Sequence, residues 1–183
     1  MSYSAAMQKA WDDLAKLNPA KNITVKFLAD QYSVDLEAKK VISFACNVPA
    51  KDYPAILILH YLIQKIKGLS QLTGKWFNFR ELSGIEGYYP AFRKRSIEPI
   101  IRKYGFNPLG ILEVLDRLPA KKINEQDVAI VLDAFEGVPV LVKLFRADEE
   151  FGPDANVLFD SSISKIFCTE DIVVLAGLVA SSL

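Results

Sequence analysis

Five carboxylates lie close together in the stretch DEEFGPDANVLFD, which runs from Asp148 to Asp160 around a Phe-Gly-Pro turn. Side chains of this type can hold a divalent cation, or exchange protons with a substrate when two of them face one cavity. The calcium loop of an EF-hand is excluded because it requires glycine at its sixth position, whereas Gly152 is at the fifth. Charge runs are most often solvated, so we expect a solvated loop followed by a strand. The candidate acidic residues are Asp148, Glu149, Glu150, Asp154 and Asp160.

A second candidate site lies in the segment FRELSGIEGYYPAFRKRSIEPIIRK, which is rich in arginine and tyrosine. Gly84 and Gly87 lead into a predicted helix, and a helix N-terminus offers free backbone N–H groups to an anion. Arginine can also bind a carboxylate or phosphate through two parallel hydrogen bonds. The glycines match neither the dinucleotide-binding fingerprint nor a P-loop, so residue types alone indicate this site. The predicted ligand-binding residues are Arg80, Tyr88, Tyr89, Arg93 and Arg95.

The chain has one histidine, His60, so any catalytic triad would have to use it as the base. His60 lies on a predicted helix with Gln64 and Lys67 at helical spacing, where a hydrogen-bonded structural role is the commoner one. Cys46 and Cys168 are far apart and have no metal-ligand spacing, so we expect no metal site and interpret both as buried, reduced thiols. The identity of any cofactor is left open.

Composition limits the partners of this protein. The 183 residues include 22 basic and 22 acidic ones, so the formal net charge is zero and we expect neither nucleic acid nor a membrane as a partner. The N-terminus lacks the basic start and apolar core of a secretory signal. The longest apolar run, AILILHYLI, is too short to cross a bilayer. We expect one cytoplasmic domain over residues 1–183 and leave its oligomeric state open.

Hydrophobic periodicity predicts an early group and a late group of strands with helices between them. The early part comprises a helix over 3–17, which could be peripheral, an antiparallel meander after Ile23, and a long apolar core helix capped by Asp52 and ended by Gly68. Later strands are predicted at WFNF, VAIVLDAF, VPVLVKLF and NVLFD; later helices at PAFRKRSIEPIIRK, broken by Pro99, at Pro108 to Leu118, and after a capping Thr169. This order predicts an α+β fold with a mainly antiparallel sheet and helices packed against it.

Four segments, in this order, carry a resemblance to a known family: GKWFNFREL, YYPAFRKRSIEPIIRKYG, DEEFGPDANVLFDSS and TEDIVVLAGLV. The chain resembles DUF3786, an uncharacterised prokaryotic domain-of-unknown-function family found largely in anaerobes. Some similar proteins carry an added four-cysteine segment that looks like an iron–sulfur module, which two cysteines cannot supply here. The resemblance implies an anaerobic setting and, if the family works beside redox or cofactor chemistry, that this member either takes the metal from a partner protein or lacks it. It implies no role for a particular residue.

Three functions are compatible with these patterns. The absence of a catalytic signature favours an accessory domain that binds an anionic small molecule or a cofactor, with the acidic loop closing over the arginines. The partner would then be that molecule or a redox or cofactor protein. The alternative is an enzyme in which Glu149, Glu150 or Asp154 serves as a base or a metal ligand and His60 assists. The third is a protein-interaction module without a ligand, which requires a large exposed apolar patch.

Overall fold

The structure is a computed structural model that describes residues 3–82, 85, 87–124 and 128–183. The chain divides into two compact units, Met1–Ser70 and Gln71–Leu183. Both units combine helices with antiparallel strands, which confirms the predicted α+β class. That the two units form one domain stays a prediction.

The first unit contains two helices and a three-stranded antiparallel meander. The strand order is β1-β2-β3, and Val34 of β2 pairs with Ile23 on one side and Val41 on the other. Leu28 and Lys39 have positive φ angles of 52° and 50°, at the ends of the two tight connections. The elements are α1 (Tyr3–Ala15), β1 (Asn22–Phe27), β2 (Asp30–Asp35), β3 (Lys40–Ser43) and α2 (Asp52–Lys67).

Helix α2 is the predicted long apolar helix, with a different start. Lys51 occupies the capping position without a side-chain hydrogen bond, and Asp52 is the first helical residue instead of the cap. The carboxylate of Asp52 is still favourable there, because the first turn of a helix carries partial positive charge. Gly68 follows the helix with a φ of 100°, a conformation that few residues other than glycine adopt.

The second unit is built on a five-stranded antiparallel sheet with the order β4-β8-β7-β6-β5. Strands β6 and β7 form the hairpin predicted at Glu136-Gly137, where Gly137 has a φ of 74°. Every residue of β6 except Asp133 is buried, so this central strand is apolar on both faces. The strands are β4 (Trp76–Asn78), β5 (Ala120–Asn124), β6 (Val128–Phe135), β7 (Val138–Phe145) and β8 (Asp154–Asp160).

Residues 89–104 form an unbroken run of helical turns, whereas the sequence predicted a break at Pro99. Proline has no N–H to donate to the carbonyl of Arg95 four residues earlier. The chain accommodates this with a π-helical turn at Arg93–Ile97, in which the N–H of Glu98 reaches the carbonyl of Arg93. The helical segments are α3 (Tyr89–Phe92), α4 (Glu98–Tyr104) and α5 (Thr169–Ser182), with 3-10 turns at Phe79–Glu81, Pro108–Asp116 and Ser161–Lys165.

Two further features of the structure differ from what the sequence led us to expect. Strand β5 was not foreseen, because AKKIN has no clear alternation of apolar and polar residues. Thr169 is the first residue of α5 and Cys168 precedes it at the capping position, without a side-chain capping bond.

Over the described part of the chain, no helix combines the length and the apolar character needed to cross a membrane.

Candidate functional site

A small polar cavity lies beside the outer edge of β8. Strand β4 pairs with β8 only from Asp160 to Leu158 and then leaves the sheet at Asn78. The segment that follows β4 and the start of α3 enclose a cavity of about 230 Å³ next to the remaining part of β8. Its polar lining residues are Asn78, Arg80, Tyr89, Arg93, Asp154 and Asn156.

Local hydrogen bonds fix the position of Arg80. The side chain of Asn78 accepts a hydrogen bond from the N–H of Arg80 at 2.7 Å, and Glu81 accepts one from the N–H of Asn78 at 2.9 Å. This reciprocal pair is a capping box on the 3-10 turn Phe79–Glu81. The guanidinium carbon of Arg80 then lies 4.1 Å from the ring centroid of Tyr89, within the range of a cation–π contact. The turn therefore presents a cation at the wall of the cavity.

Arg93 supplies a second cation to the same cavity from the π-helical turn. A side-chain hydrogen bond with Tyr89, and then the charge of Asp154, raise the pKa of Arg93. Its Nη2 atom lies 3.5 Å from Oδ1 of Asp154. That separation is longer than the 2.7–2.9 Å or so of a strong charge-assisted hydrogen bond. Arg93 and Asp154 are thus close neighbours whose direct interaction is weak.

Buried aromatic rings form the base of the cavity. Phe79 and Phe92, each 1% exposed, stack with ring centroids 4.2 Å apart and planes 7° apart. The rings of Phe92 and Phe159 of β8 pack in a T-shaped arrangement with centroids 6.4 Å apart, and the ring centroids of Tyr89 and Phe92 are 6.3 Å apart. These contacts hold the 3-10 turn, the start of α3 and strand β8 in one arrangement. The polar side chains are therefore attached to a rigid base.

The lining residues favour an anion with additional polar groups. Among the described lining residues, two arginines and one carboxylate give one excess positive charge, and arginine matches carboxylate or phosphate oxygens geometrically. Asn156 forms no side-chain hydrogen bond with another residue in the described ranges, so its amide can bind a ligand through both donor and acceptor atoms. Arg80 likewise forms no ion pair there, and its side-chain contact is with the Tyr89 ring.

The remaining two predicted ligand-binding residues lie away from this lining. The hydroxyl of Tyr88 donates a hydrogen bond to Glu170 of α5, which raises the pKa of Tyr88 and lowers that of Glu170. Arg95 is on the opposite side of the π-helical turn, next to α5. A Cβ atom added to Gly177 of α5 would lie 3.8 Å from the Cβ atom of Arg95. Of the two predicted glycines, Gly87 is in a turn, and Gly84 is outside the described residues.

The acidic loop contributes one residue to the cavity. Asp148 accepts hydrogen bonds from the N–H groups of Glu150 at 2.9 Å and Phe151 at 2.7 Å, so it stabilises its own turn. The bond from Phe151, and then that from Glu150, lower the pKa of Asp148. Glu149 and Glu150 are exposed and do not line the cavity, whereas Asp154 does. The arginine-rich segment and the acidic stretch therefore meet at Asp154.

Asp160 lies at the other end of β8 and is 3% exposed. Its carboxylate accepts hydrogen bonds from the N–H groups of Gly74 at 2.7 Å, Ser162 at 2.9 Å and Thr73 at 3.1 Å. It thereby joins the chain before β4 to the end of β8. Burial alone would raise the pKa of Asp160, but hydrogen bonds from Ser162, Thr73 and Gly74 outweigh it and lower the pKa to about 2.

A second, larger cavity of about 580 Å³ lies at the start of α5. Its lining includes Glu81, Glu170 and Cys168, together with the rings of Phe77 and Phe167. The sequence interpretation of both cysteines as buried was wrong, since Cys46 and Cys168 are both exposed. Desolvation by surrounding protein atoms nevertheless raises the pKa of Cys168 to about 12, so its thiol stays protonated and is a poor nucleophile at neutral pH.

Sequence reasoning missed the two asparagines of the smaller cavity. Asn156 could have been found, because residues two apart on a strand share a face and Asp154 was already a candidate. Asn78 has a weaker signal, a polar residue at the end of the WFNF strand. His60 belongs to the first unit, and the cavity belongs to the second. Within the ranges that the structure describes, no group of three or more His, Cys, Asp or Glu residues is placed to hold a metal ion.

Comparison with known proteins gives a family and nothing beyond it. The model of the family described as domain of unknown function DUF3786 matches residues 10–182, so the chain belongs to this family. No curated protein and no solved structure matches the chain.

Proposed function

We propose that the protein binds a small anionic molecule in the smaller cavity, as an accessory domain without turnover. The family to which the chain belongs has no defined activity, so the proposal is based on the geometry of this cavity. The observation that carries the proposal is the convergence of Arg80, Tyr89, Arg93 and Asp154 on one cavity, although they come from three separate segments. The anaerobic setting implied by the family resemblance and the cytoplasmic location expected from the sequence are part of the proposal, and its test does not depend on them.

The size of the cavity limits the ligand. A volume of about 230 Å³ is below the 300–1,000 Å³ or so typical of sites for drug-sized molecules. It is about eight times the share of one water molecule in the liquid. A small carboxylate or phosphate compound fits, whereas a dinucleotide would extend far outside.

Arg93→Ala and Arg80→Ala are expected to weaken the binding of small anions by about tenfold or more each, because a hydrogen bond to a charged group contributes about 1.5–3 kcal/mol. The measurement is NMR or calorimetric titration of the wild type and variants with a panel of short carboxylates and phosphate esters. Arg95→Ala is the matched control, since Arg95 is on the same helical turn but does not line the cavity. Unchanged affinities in both cavity variants would contradict the proposal.

The carboxylate enzyme has less support from the geometry. A carboxylate pair for general acid and base work requires two carboxyl groups that face one cavity. Among the described residues, the lining of the smaller cavity contains a single carboxylate, Asp154. Glu149 and Glu150 are exposed on the preceding turn. The arrangement is better suited to binding than to proton transfer.

A second candidate function, docking of a partner protein, is favoured by two exposed aromatic residues. Phe106 is 95% exposed and Phe151 is 69% exposed. Their loops are adjacent, because a Cβ atom on Gly105 would lie 3.1 Å from Pro153. The exposed carboxylates Asp148, Glu149 and Glu150 border Phe151. A redox or cofactor protein whose docking surface has an apolar pocket surrounded by basic residues would be complementary to this surface.

A model peptide of alternating lysine and leucine is a direct probe of that surface. We expect binding that weakens with added salt, and that falls about tenfold in Phe106→Ala and Phe151→Ala, since large exposed aromatic residues dominate such contacts. Phe44→Ala is the control, because Phe44 is also exposed, at 55%, but lies in the other unit. Equal peptide binding by the wild type and all three variants would remove this candidate.

A further inference from the structure

We infer that the ligand of the smaller cavity is a small α-amino acid, with its carboxylate on the arginines and its ammonium group on Asp154. The inference rests on the proposed function: it keeps an anionic group, the carboxylate, as the partner of the arginines and adds an ammonium group, so that the ligand is a zwitterion. It starts from the presence of both charge signs in a cavity of about 230 Å³.

The arginine side of the cavity matches a carboxylate. The guanidinium carbon of Arg80 lies 4.1 Å from the ring centroid of Tyr89, and Arg93 lines the same cavity one helical turn after that tyrosine, so both guanidinium groups are at one wall. Each guanidinium has five N–H donors in a fixed plane, and these contacts leave several of them for a ligand. A cation–π contact uses the face of the tyrosine ring and consumes none of the N–H donors of Arg80.

The opposite charge is adjacent. Asp154 lies 3.5 Å from Arg93 and about half of its side chain, 51%, is exposed, so it can accept another donor without losing a strong bond. An α-amino acid carries its ammonium and carboxylate groups on the same carbon atom, so its two charges are also adjacent. The spacing of Arg93 and Asp154 therefore fits one such molecule, with each ligand charge beside a side chain of opposite sign.

Asn156 adds a neutral polar contact. It lies two residues after Asp154 on β8 and lines the same cavity. Its amide oxygen can accept from the ammonium group, and its amide nitrogen can donate to a polar side chain of the ligand. Because most of the lining residues are polar, we expect a short polar side chain such as that of serine or asparagine. A simple dicarboxylate would place a second negative charge near Asp154, which is unfavourable.

The test compares L-serine with glycerate and 3-hydroxypropanoate, which replace the amino group by a hydroxyl or by hydrogen, and L-asparagine with its deaminated counterpart. We expect the wild type to bind at least one of the amino acids about tenfold or more tightly than its counterparts, because a charge-assisted hydrogen bond contributes that much. Asp154→Asn should remove this preference while binding of the counterparts is retained or improved. Glu149→Gln, a carboxylate of the same stretch outside the cavity, should keep the preference.

Several outcomes would overturn the inference. Equal affinities of the wild type for amino acids and their deaminated counterparts would do so, as would a preference that persists in Asp154→Asn, or no binding of either amino acid. Binding of phosphate or carboxylates that still depends on Arg80 and Arg93 would, in those cases, leave the proposed function intact. If the wild type bound neither the amino acids nor any anion in a way that depends on the two arginines, both the inference and the proposed function would be overturned. Thermal unfolding of each variant, followed by circular dichroism, checks that the fold is preserved.

Discussion

Replacement of Phe92 by alanine is expected to lower the free energy of unfolding of the second unit by about 3–5 kcal/mol. Phe92 is 1% exposed and contacts the rings of Phe79, Tyr89 and Phe159, so truncation leaves a cavity among these three aromatic side chains. Stacking adds about 0.5–1.5 kcal/mol per aromatic pair beyond the buried area, which places the effect toward the upper part of that range.

Urea unfolding followed by the fluorescence of Trp76 measures this effect. Trp76 lies in the same unit as Phe92, and a Trp11→Phe background removes the signal of the other unit. Phe106→Ala is the matched control, because a phenylalanine that is 95% exposed should change stability by less than about 0.5 kcal/mol. A loss in Phe92→Ala no larger than that of the control would show that the aromatic base does not stabilise the unit.

The second large effect is expected for Asp160→Asn, which should lower stability at neutral pH by about 2 kcal/mol. In the folded protein, hydrogen bonds lower the pKa of Asp160 from the ordinary value of 3.8 to about 2. Each unit of such a shift corresponds to about 1.4 kcal/mol of preference for the charged form. Asparagine keeps the shape of the side chain but has no charge. Its NH₂ group, a donor, would also face backbone N–H groups, which are donors themselves.

The pH dependence of this difference follows from the direction of the shift. A carboxylate with a lowered folded pKa contributes its full stability above its unfolded pKa of 3.8, and loses it as the pH falls through about 2. The gap between wild type and Asp160→Asn should therefore be constant from about pH 5 to 7 and shrink between about pH 4 and 2. Asp133→Asn, which changes an exposed carboxylate on β6, is the control. A gap that does not change with pH would show that the charge of Asp160 is not the cause.

The proposed site illustrates how far residue types alone can lead. Arg80, Tyr89 and Arg93 were predicted because arginine and tyrosine were concentrated beside a helix start, and the structure brings these three to one cavity. Tyr88 has the same signal in the sequence as its neighbour Tyr89. Successive residues at the start of a helix point in different directions, however, and Tyr88 turns to Glu170 instead.

The amino-acid sequence by itself determined the local structure of this protein. The alternation of apolar and polar residues predicted the meander, and Gly137 predicted the β6–β7 hairpin. Apolar runs predicted the helices α2 and α5. All of these elements depend on residues that are neighbours in sequence. Strand β5 and the π-helical turn before Pro99 depended on pairing and packing, which local pattern does not contain.

Only the tertiary structure decided which of the charged residues share a site. Asp154 lies near Arg93, sixty-one positions away in the chain, because β4 ends early and that part of β8 is beside the π-helical turn that carries Arg93. Asp160, in the same acidic stretch, is instead buried at the far end of the strand under backbone donors. The distance between two such side chains is set by strand pairing and helix packing, so composition can name the candidates but cannot assemble them.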